Sequence, residues 1–180
     1  IQAVTDTNHV YAGGLYAMDN RVTTLNCYAL GDVTGNSTNN NKVHIGGIAG
    51  QAGGIHYNCY ATGNVISLKT TTDVGGLNGR SGGIAADYNC YYNSEAVQKQ
   101  GDVTNAPAIA IGVNANDNAL VKNVEGKTAE ELASKAFAAQ LNGNLTEETL
   151  AAAMEDLEKF LSDVNGRGFV HNNYYLGNAL

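Results

Sequence analysis

The sequence predicts a mainly β fold, a parallel β-helix of about four turns carrying an α-helical hairpin inserted in or capping its last turn. Three observations predict it. One unit recurs three times, with cysteines 32 and then 31 residues apart and the first glycines of a paired motif 33 and 29 apart. Turn-forming residues are abundant: 22 glycines and 23 asparagines among 180 residues, against a single proline. Between residues 117 and 168 the spacing of apolar residues changes to that of helices. A unit of this size holds two or three short strands and cannot bury its apolar face alone, whereas stacked copies can. Stacking places equivalent residues about 4.8 Å apart in ladders.

The elements follow in chain order. The first copy opens at Ala12-Gly13-Gly14-Leu15 and closes at Asn26-Cys27-Tyr28-Ala29. The second runs from Ile45-Gly46-Gly47-Ile48-Ala49-Gly50 to Asn58-Cys59-Tyr60-Ala61-Thr62-Gly63-Asn64-Val65. The third runs from Val74-Gly75-Gly76-Leu77-Asn78-Gly79 to Asn89-Cys90-Tyr91-Tyr92. Within each unit a corner separates the two motifs: Gly53-Gly54 and Gly82-Gly83 in the later copies, with Met18-Asp19-Asn20-Arg21-Val22 filling that slot in the first, Asn tolerating positive φ. A fourth turn is expected to start at Ile111-Gly112-Val113 and to close at Asn172-Asn173-Tyr174-Tyr175, with the helical segment in between. In that segment Thr128 and Glu131 form a capping box ahead of Leu132, Ala136, Phe137 and Leu141, and Gly143 stops the helix. Thr146 opens a second helix with Leu150, Ala153, Met154, Leu157, Phe160, Leu161 and Val164 on one face, ended by Gly166. The expected division is solenoid repeats over 1–116, a helical hairpin over 117–168 and a returning strand over 169–180.

Composition excludes several classes. No run of about 18 apolar residues exists, so no helix spans a membrane. A formal net charge of −7 argues against a nucleic-acid partner, whose phosphates call for a basic surface. That acidity is local: residues 125–163 hold nine acids and three bases, leaving the repeats nearly neutral.

The paired-glycine segments resemble the GLUG repeat, named for its Gly-Leu-x-Gly signature. Gly76-Leu77-Asn78-Gly79 matches it, Gly47-Ile48-Ala49-Gly50 has Ile for Leu, and Gly14-Leu15-Tyr16-Ala17 lacks the last glycine. The Asn58–Val65 segment is also typical of that family, and the resemblance covers roughly residues 10 to 97. It implies a right-handed β-solenoid belonging to a large bacterial surface or secreted protein, commonly adhesin-like, with no catalytic residues in the repeat. Similar repeats also occur as accessory regions of metallopeptidases that cleave immunoglobulin A. An extracellular location is implied by the resemblance alone.

Cys27, Cys59 and Cys90, one turn apart, are expected as a buried thiol ladder of small apolar filler. Strand separation exceeds the Cβ distance of about 3.8 Å that a disulfide needs, and no C-x-x-C completes a zinc site. By simple alternation Leu25, Cys27 and Ala29 share one face, as do Tyr57, Cys59 and Ala61. The opposite face carries Asn26, Asn58 and Asn89, then Tyr28, Tyr60, Tyr91 and Tyr174. These make either a stabilising ladder or an exposed aromatic strip suited to sugar rings, with Asn58, Tyr28, Tyr60, Tyr91 and Tyr174 as candidate ligand-binding residues. His9, His44, His56 and His171 form no spaced set, and Asp32, Asp73 and Asp87 are scattered along the chain. No catalytic residue, metal ligand or cofactor is assigned. The functional expectation is a structural or adhesive solenoid segment, with other domains of a larger parent as partners and a host-surface protein or glycan as the contact. The alternatives are a carbohydrate-binding or polysaccharide-cleaving β-helix and an accessory region of an IgA-cleaving peptidase.

Overall fold

The computed structural model describes residues 1–5, 9–38, 42–70, 72–82, 84–105, 107–115 and 119–166. The first turn runs through β1 (Gln2–Thr5), β2 (Val10–Gly13), β3 (Tyr16–Met18), β4 (Thr23–Leu25) and β5 (Tyr28–Ala29). The second has β6 (Val33–Ser37), β7 (Val43–Gly46), β8 (Ala49–Ala52), β9 (Ile55–Tyr57) and β10 (Tyr60–Ala61). The third has β11 (Val65–Ser67), β12 (Thr72–Gly75), β13 (Asn78–Ser81), β14 (Ala85–Tyr88) and β15 (Tyr91–Asn93). The fourth has β16 (Gln98–Gln100), β17 (Val103–Asn105), β18 (Ile111–Asn114), β19 (Ala119–Lys122) and β20 (Glu125–Lys127). Strands of successive turns pair in parallel, giving the sheets β1-β6-β11-β16, β2-β7-β12, β3-β8-β13-β18, β4-β9-β14-β19 and β5-β10-β15-β20. The fold is a β-solenoid of about four turns, followed by a C-terminal helical segment. In the last turn β17 pairs antiparallel to β16, so the first sheet ends in a hairpin.

The glycine signature is an arch. β7 passes through Gly47 and Ile48 into β8, and the two strands fold backbone against backbone. A Cβ at Gly46 would fall 2.1 Å from the Ala49 carbonyl oxygen and 2.4 Å from that of Leu77. One at Gly50 would fall 2.5 Å from Ala12 N and 2.8 Å from His44 O. No side chain fits at such distances, so glycine is required by proximity. Ile48 and Leu77, between those glycines, plug an interior lined by Ala49, Ala61, Cys59 and Cys90. A second interior cluster joins Val33 and Val65 to Val43, Ile45 and Val74.

The asparagine motif is a left-handed corner. Asn26, Asn58, Asn89 and Asn123 have φ of 54°, 55°, 52° and 53°, a conformation Asn tolerates best after glycine. In the first turn Arg21 also takes positive φ, rather than the expected Asn20. The corner residue resets strand alternation, which corrects one expectation. Cys59 and Ala61 do point inward, but Tyr57 points out with Tyr88 and Leu25. Its neighbour His56 is the inward residue.

The corner also revises the fourth turn. Asn123-Val124-Glu125 repeats the Asn-Cys-Tyr motif in degenerate form: Tyr91 pairs with Glu125, Val124 packs beside the cysteines, and the Asn123 amide donates to Asn89 Oδ1 at 3.0 Å. Residues 119–127, expected within the helical segment, are therefore two strands joined by the Asn123 corner, and they fill the slot read as Asn172–Tyr175. Residues 169–180, with the expected returning strand, Tyr174 and His171, lie outside the described residues.

The helical segment is α1 (Ala129–Leu132), α2 (Lys135–Gly143) and α3 (Glu147–Gly166). The Thr128–Glu131 capping box forms, but Ser134 then caps a fresh start at Phe137 N, so one expected helix becomes two. The helices cover a flank of the solenoid. Leu150, Ala153 and Leu157 of α3 pack on Ile55, Tyr57, Ala86 and Tyr88, with Leu25 and Leu120 at the margins, so contacts come from all four turns. Burying that apolar stripe is what stabilises an acidic helix.

Candidate functional site

Two regions gather the chemistry-bearing side chains: the outer Asn–Tyr rows and the solenoid interior. Tyr28, Tyr60 and Tyr91 are paired in register, as the repeat requires. Tyr28 and Tyr60 stack at 5.4 Å with an 18° interplanar angle. Beyond them the row is covered. Phe137 of α2 meets Tyr60 edge-on at 5.3 Å and Tyr91 at 5.1 Å, leaving Tyr91 only 2% exposed. Asn58 is buried: its amide donates to Asn26 Oδ1 and to the Leu141 carbonyl, both at 3.0 Å. Asn144 donates to Asn58 Oδ1 at 2.8 Å and to the Tyr91 hydroxyl at 2.9 Å, and Gln140 reaches that hydroxyl at 3.1 Å. Of the exposed strip, one of the two readings of this row, Tyr28 is 57% exposed, Tyr60 is half-buried and Tyr91 is buried, while Tyr174 lies outside the described residues. Asn144→Ala is expected to cost about 1–2 kcal/mol in urea unfolding, because it strands the buried Asn58 oxygen. An unchanged midpoint would mean that the helices are not tied to the repeat through this side chain.

Below Asn144, Tyr57 donates to the Asn144 carbonyl at 2.5 Å and accepts from the Asn89 amide at 3.2 Å. Tyr88 donates to Asp156 at 2.8 Å, and Lys122 pairs with the same carboxylate. Burial, with Asp156 beside it, pushes the Tyr88 hydroxyl up to about 12. The hydrogen bond from Lys122, followed by that from Tyr88, holds the Asp156 carboxyl below the usual range.

The thiols are more than apolar filler. Cys59 Sγ lies 3.3 Å from Tyr57 O and 3.6 Å from Thr24 O; Cys90 Sγ lies 3.5 Å from Tyr88 O and 3.4 Å from His56 O. Each donates weakly to carbonyls around its corner, including one from the turn before. All three cysteines are free, and burial pushes the Cys90 thiol well up. Asp32 accepts from Asn64 N at 2.7 Å and from the Asn64 amide at 3.2 Å, making a polar corner of its own.

The interior holds what the residue-by-residue reading missed. His56 Nε2 lies 2.7 Å from Asp19 Oδ2 and its Nδ1 2.8 Å from Asp87 Oδ1. The His56 side chain is 1% exposed and both carboxylates 0%. Asp19 also accepts from Gly53 N at 2.5 Å, and Asp87 accepts from the Asn78 amide at 2.7 Å. Burial alone would lower the His56 pKa; hydrogen bonds to Asp19 and Asp87, and their charge, outweigh it and raise it to about 10. The result is an imidazolium clamped between carboxylates from the turns before and after it. A second pair lies between β7 and β12: His44 Nδ1 is 2.7 Å from Asp73 Oδ2, and Arg80 donates to that oxygen at 3.2 Å. Burial opposes ionisation of Asp73, but His44 and Arg80 outweigh it and hold the carboxyl below its ordinary range. The repeat register would have found the His56–Asp87 and His44–Asp73 pairs, which are strand partners, but not Asp19, since Thr24 is the turn-one partner of His56. Among the described residues no group of His, Cys, Asp and Glu is arranged to hold a metal ion.

One unit of the repeat matches a known family model. The family model described as "The GLUG motif" matches residues 41–66, the stretch from the arch of turn two through its Asn corner. The chain carries the GLUG motif. No curated protein and no solved structure matches it. In this GLUG unit the signature glycines serve close backbone approach, Ile48 serves the core and Asn58 serves the corner. Turn three repeats the same roles at Gly75, Gly76, Leu77, Gly79 and Asn89. Among the described residues no helix is long and apolar enough to cross a membrane.

Proposed function

We propose that the chain is a structural and adhesive solenoid segment, non-catalytic in itself, of a larger bacterial surface or secreted protein. One observation carries this reading: the residues that recur from turn to turn are consumed by the scaffold. The glycines make the arch, the asparagines the corner, the thiols bond to carbonyls, and Tyr91 lies under a helix. What is left for contact is the variable side surface, which suits display and attachment better than turnover of a substrate. Its partners on this reading are the other domains of the parent protein and a host-surface protein or glycan, met outside the cell. Antibodies raised against the chain are expected to label intact cells, or to find the parent in the medium. Labelling that appears only after lysis would overturn an extracellular role.

A further inference from the structure

The Asn and Tyr rows are treated differently from turn to turn. At turns two and three α2 supplies an aromatic edge to Tyr60 and Tyr91, and its C-terminal end supplies the Leu141 carbonyl and the Asn144 amide to Asn58. At turn one the same two residue types stand clear. Tyr28 and, two residues on, Leu30 are 57% and 58% exposed, and Asn26 is exposed at the end of its row. Beside them, between the outer Tyr row and α1, lies a trough of about 290 Å³ lined by Leu30, Tyr60, Thr62, Asn93, Leu132 and Ala133.

We propose that this rung and its trough are a docking surface for a helix of a partner protein. That helix is amphipathic, presents an aromatic side chain to Tyr28 and Leu30, and carries an amide near its C-terminal end. The surface is continuous with the interface that α2 already forms. The row is a repeat, so its filled copies state what chemistry its open copy accepts. In the filled copies the ring enters edge-on, an arrangement worth about 0.5–1.5 kcal/mol beyond the area it buries. The lining also discriminates between a ring and a sugar. Thr62 Oγ1 bonds the Leu30 carbonyl at 3.4 Å, while the Asn93 amide donates to Thr62 O at 3.2 Å and accepts from Glu95 N at 2.9 Å. These polar groups are engaged within the fold, which leaves mainly leucine, alanine and the Tyr60 ring to meet the occupant. A sugar would bring hydroxyls to that surface with too few partners. The inference goes beyond the adhesive reading and names the class of partner.

The probe is a fluorescein-labelled, helix-stapled peptide of residues 134–146, the chain's own occupant of turns two and three, titrated against the full chain by anisotropy. Saturable binding is expected. It should weaken roughly tenfold with Tyr28→Ala, with Leu30→Asp, or with Phe137→Ala in the peptide. Tyr28→Phe, which keeps the ring, should bind like the native chain. Both exposed-site variants are expected to melt within a few degrees of the native chain, so loss of binding will not reflect unfolding. Three outcomes overturn the proposal: no saturation by about 1 mM peptide; binding indifferent to Tyr28 but lost with Tyr91→Ala, which marks displacement of α2; or Tyr28-dependent capture of an oligosaccharide in place of the peptide.

Discussion

His56→Leu is expected to lower the unfolding free energy by about 3–5 kcal/mol, because it leaves the buried carboxylates of Asp19 and Asp87 without their shared cation. Lost packing alone would cost much less, since leucine is close to histidine in volume. The two causes separate in a combined variant. With Asp19→Asn and Asp87→Asn added, the buried charges go together and most of the loss should be recovered. The pH dependence has a definite sign. An imidazolium held at about 10 in the fold, against about 6.5 when unfolded, contributes stability that is fully present below pH 6.5. That contribution falls away as pH rises through about 10. The buried Cys90 thiol, raised by burial, adds a slope of the same sign, so the diagnostic quantity is the difference between native chain and variant. Urea midpoints from pH 6 to 9.5 should fall for the native chain and fall less for His56→Leu. Tyr88, held at about 12, stays protonated throughout this window. Equal slopes would show that the Asp19–His56–Asp87 set does not hold a proton across it.

The repeat was legible in the sequence because its signature residues answer local steric demands. Gly46 and Gly50 are dictated by backbone proximity, and Asn58 and Asn89 by a left-handed corner, so they recur wherever the chain makes the same turn. The helices were legible too, through the Thr128–Glu131 box and the apolar face from Leu150 to Val164. What escaped was set by register. Alternation read straight through Asn58 puts Tyr57 inside and His56 outside; one residue at φ 55° reverses both. The Asp19–His56–Asp87 set spans three turns, so spacing along the chain says nothing about it, whereas aligning turn on turn puts His56 against Asp87. Asn123-Val124-Glu125 escaped because only the corner residue is kept. At the last turn Val replaces Cys and Glu replaces Tyr, and Glu125 pairs with Lys127, whose ammonium also lies over the Tyr91 ring. The side covered by α2 and α3 was not legible either, since a capped end and a shielded flank need the same amphipathic stripe.

Gly46→Ala is expected to cost about 3 kcal/mol or more, although it adds one methyl group. The cost comes from where the methyl falls. Its position lies 2.1 Å from Ala49 O and 2.4 Å from Leu77 O, both backbone atoms that no rotamer change can move. Leu77 O is also the acceptor for Ile48 N at 2.8 Å and Ala49 N at 3.1 Å. Pushing it aside therefore weakens the ladder that joins turn two to turn three, at the point where Ile48 and Leu77 fill the interior. Gly31→Ala is the matched control. Nothing lies within 4 Å of a Cβ there and its φ is not in the left-handed region, so the substitution is expected to be neutral or to stabilise by up to about 1 kcal/mol through the unfolded chain. Urea unfolding of the two variants decides the matter. Equal midpoints would mean that the arch is loosely packed and that the glycine signature answers some demand other than backbone approach. A large gap would tie the signature to the stacking of turns, and would explain why the third copy keeps every glycine of that segment. In the first copy Ala17 stands where the later turns have Gly50 and Gly79.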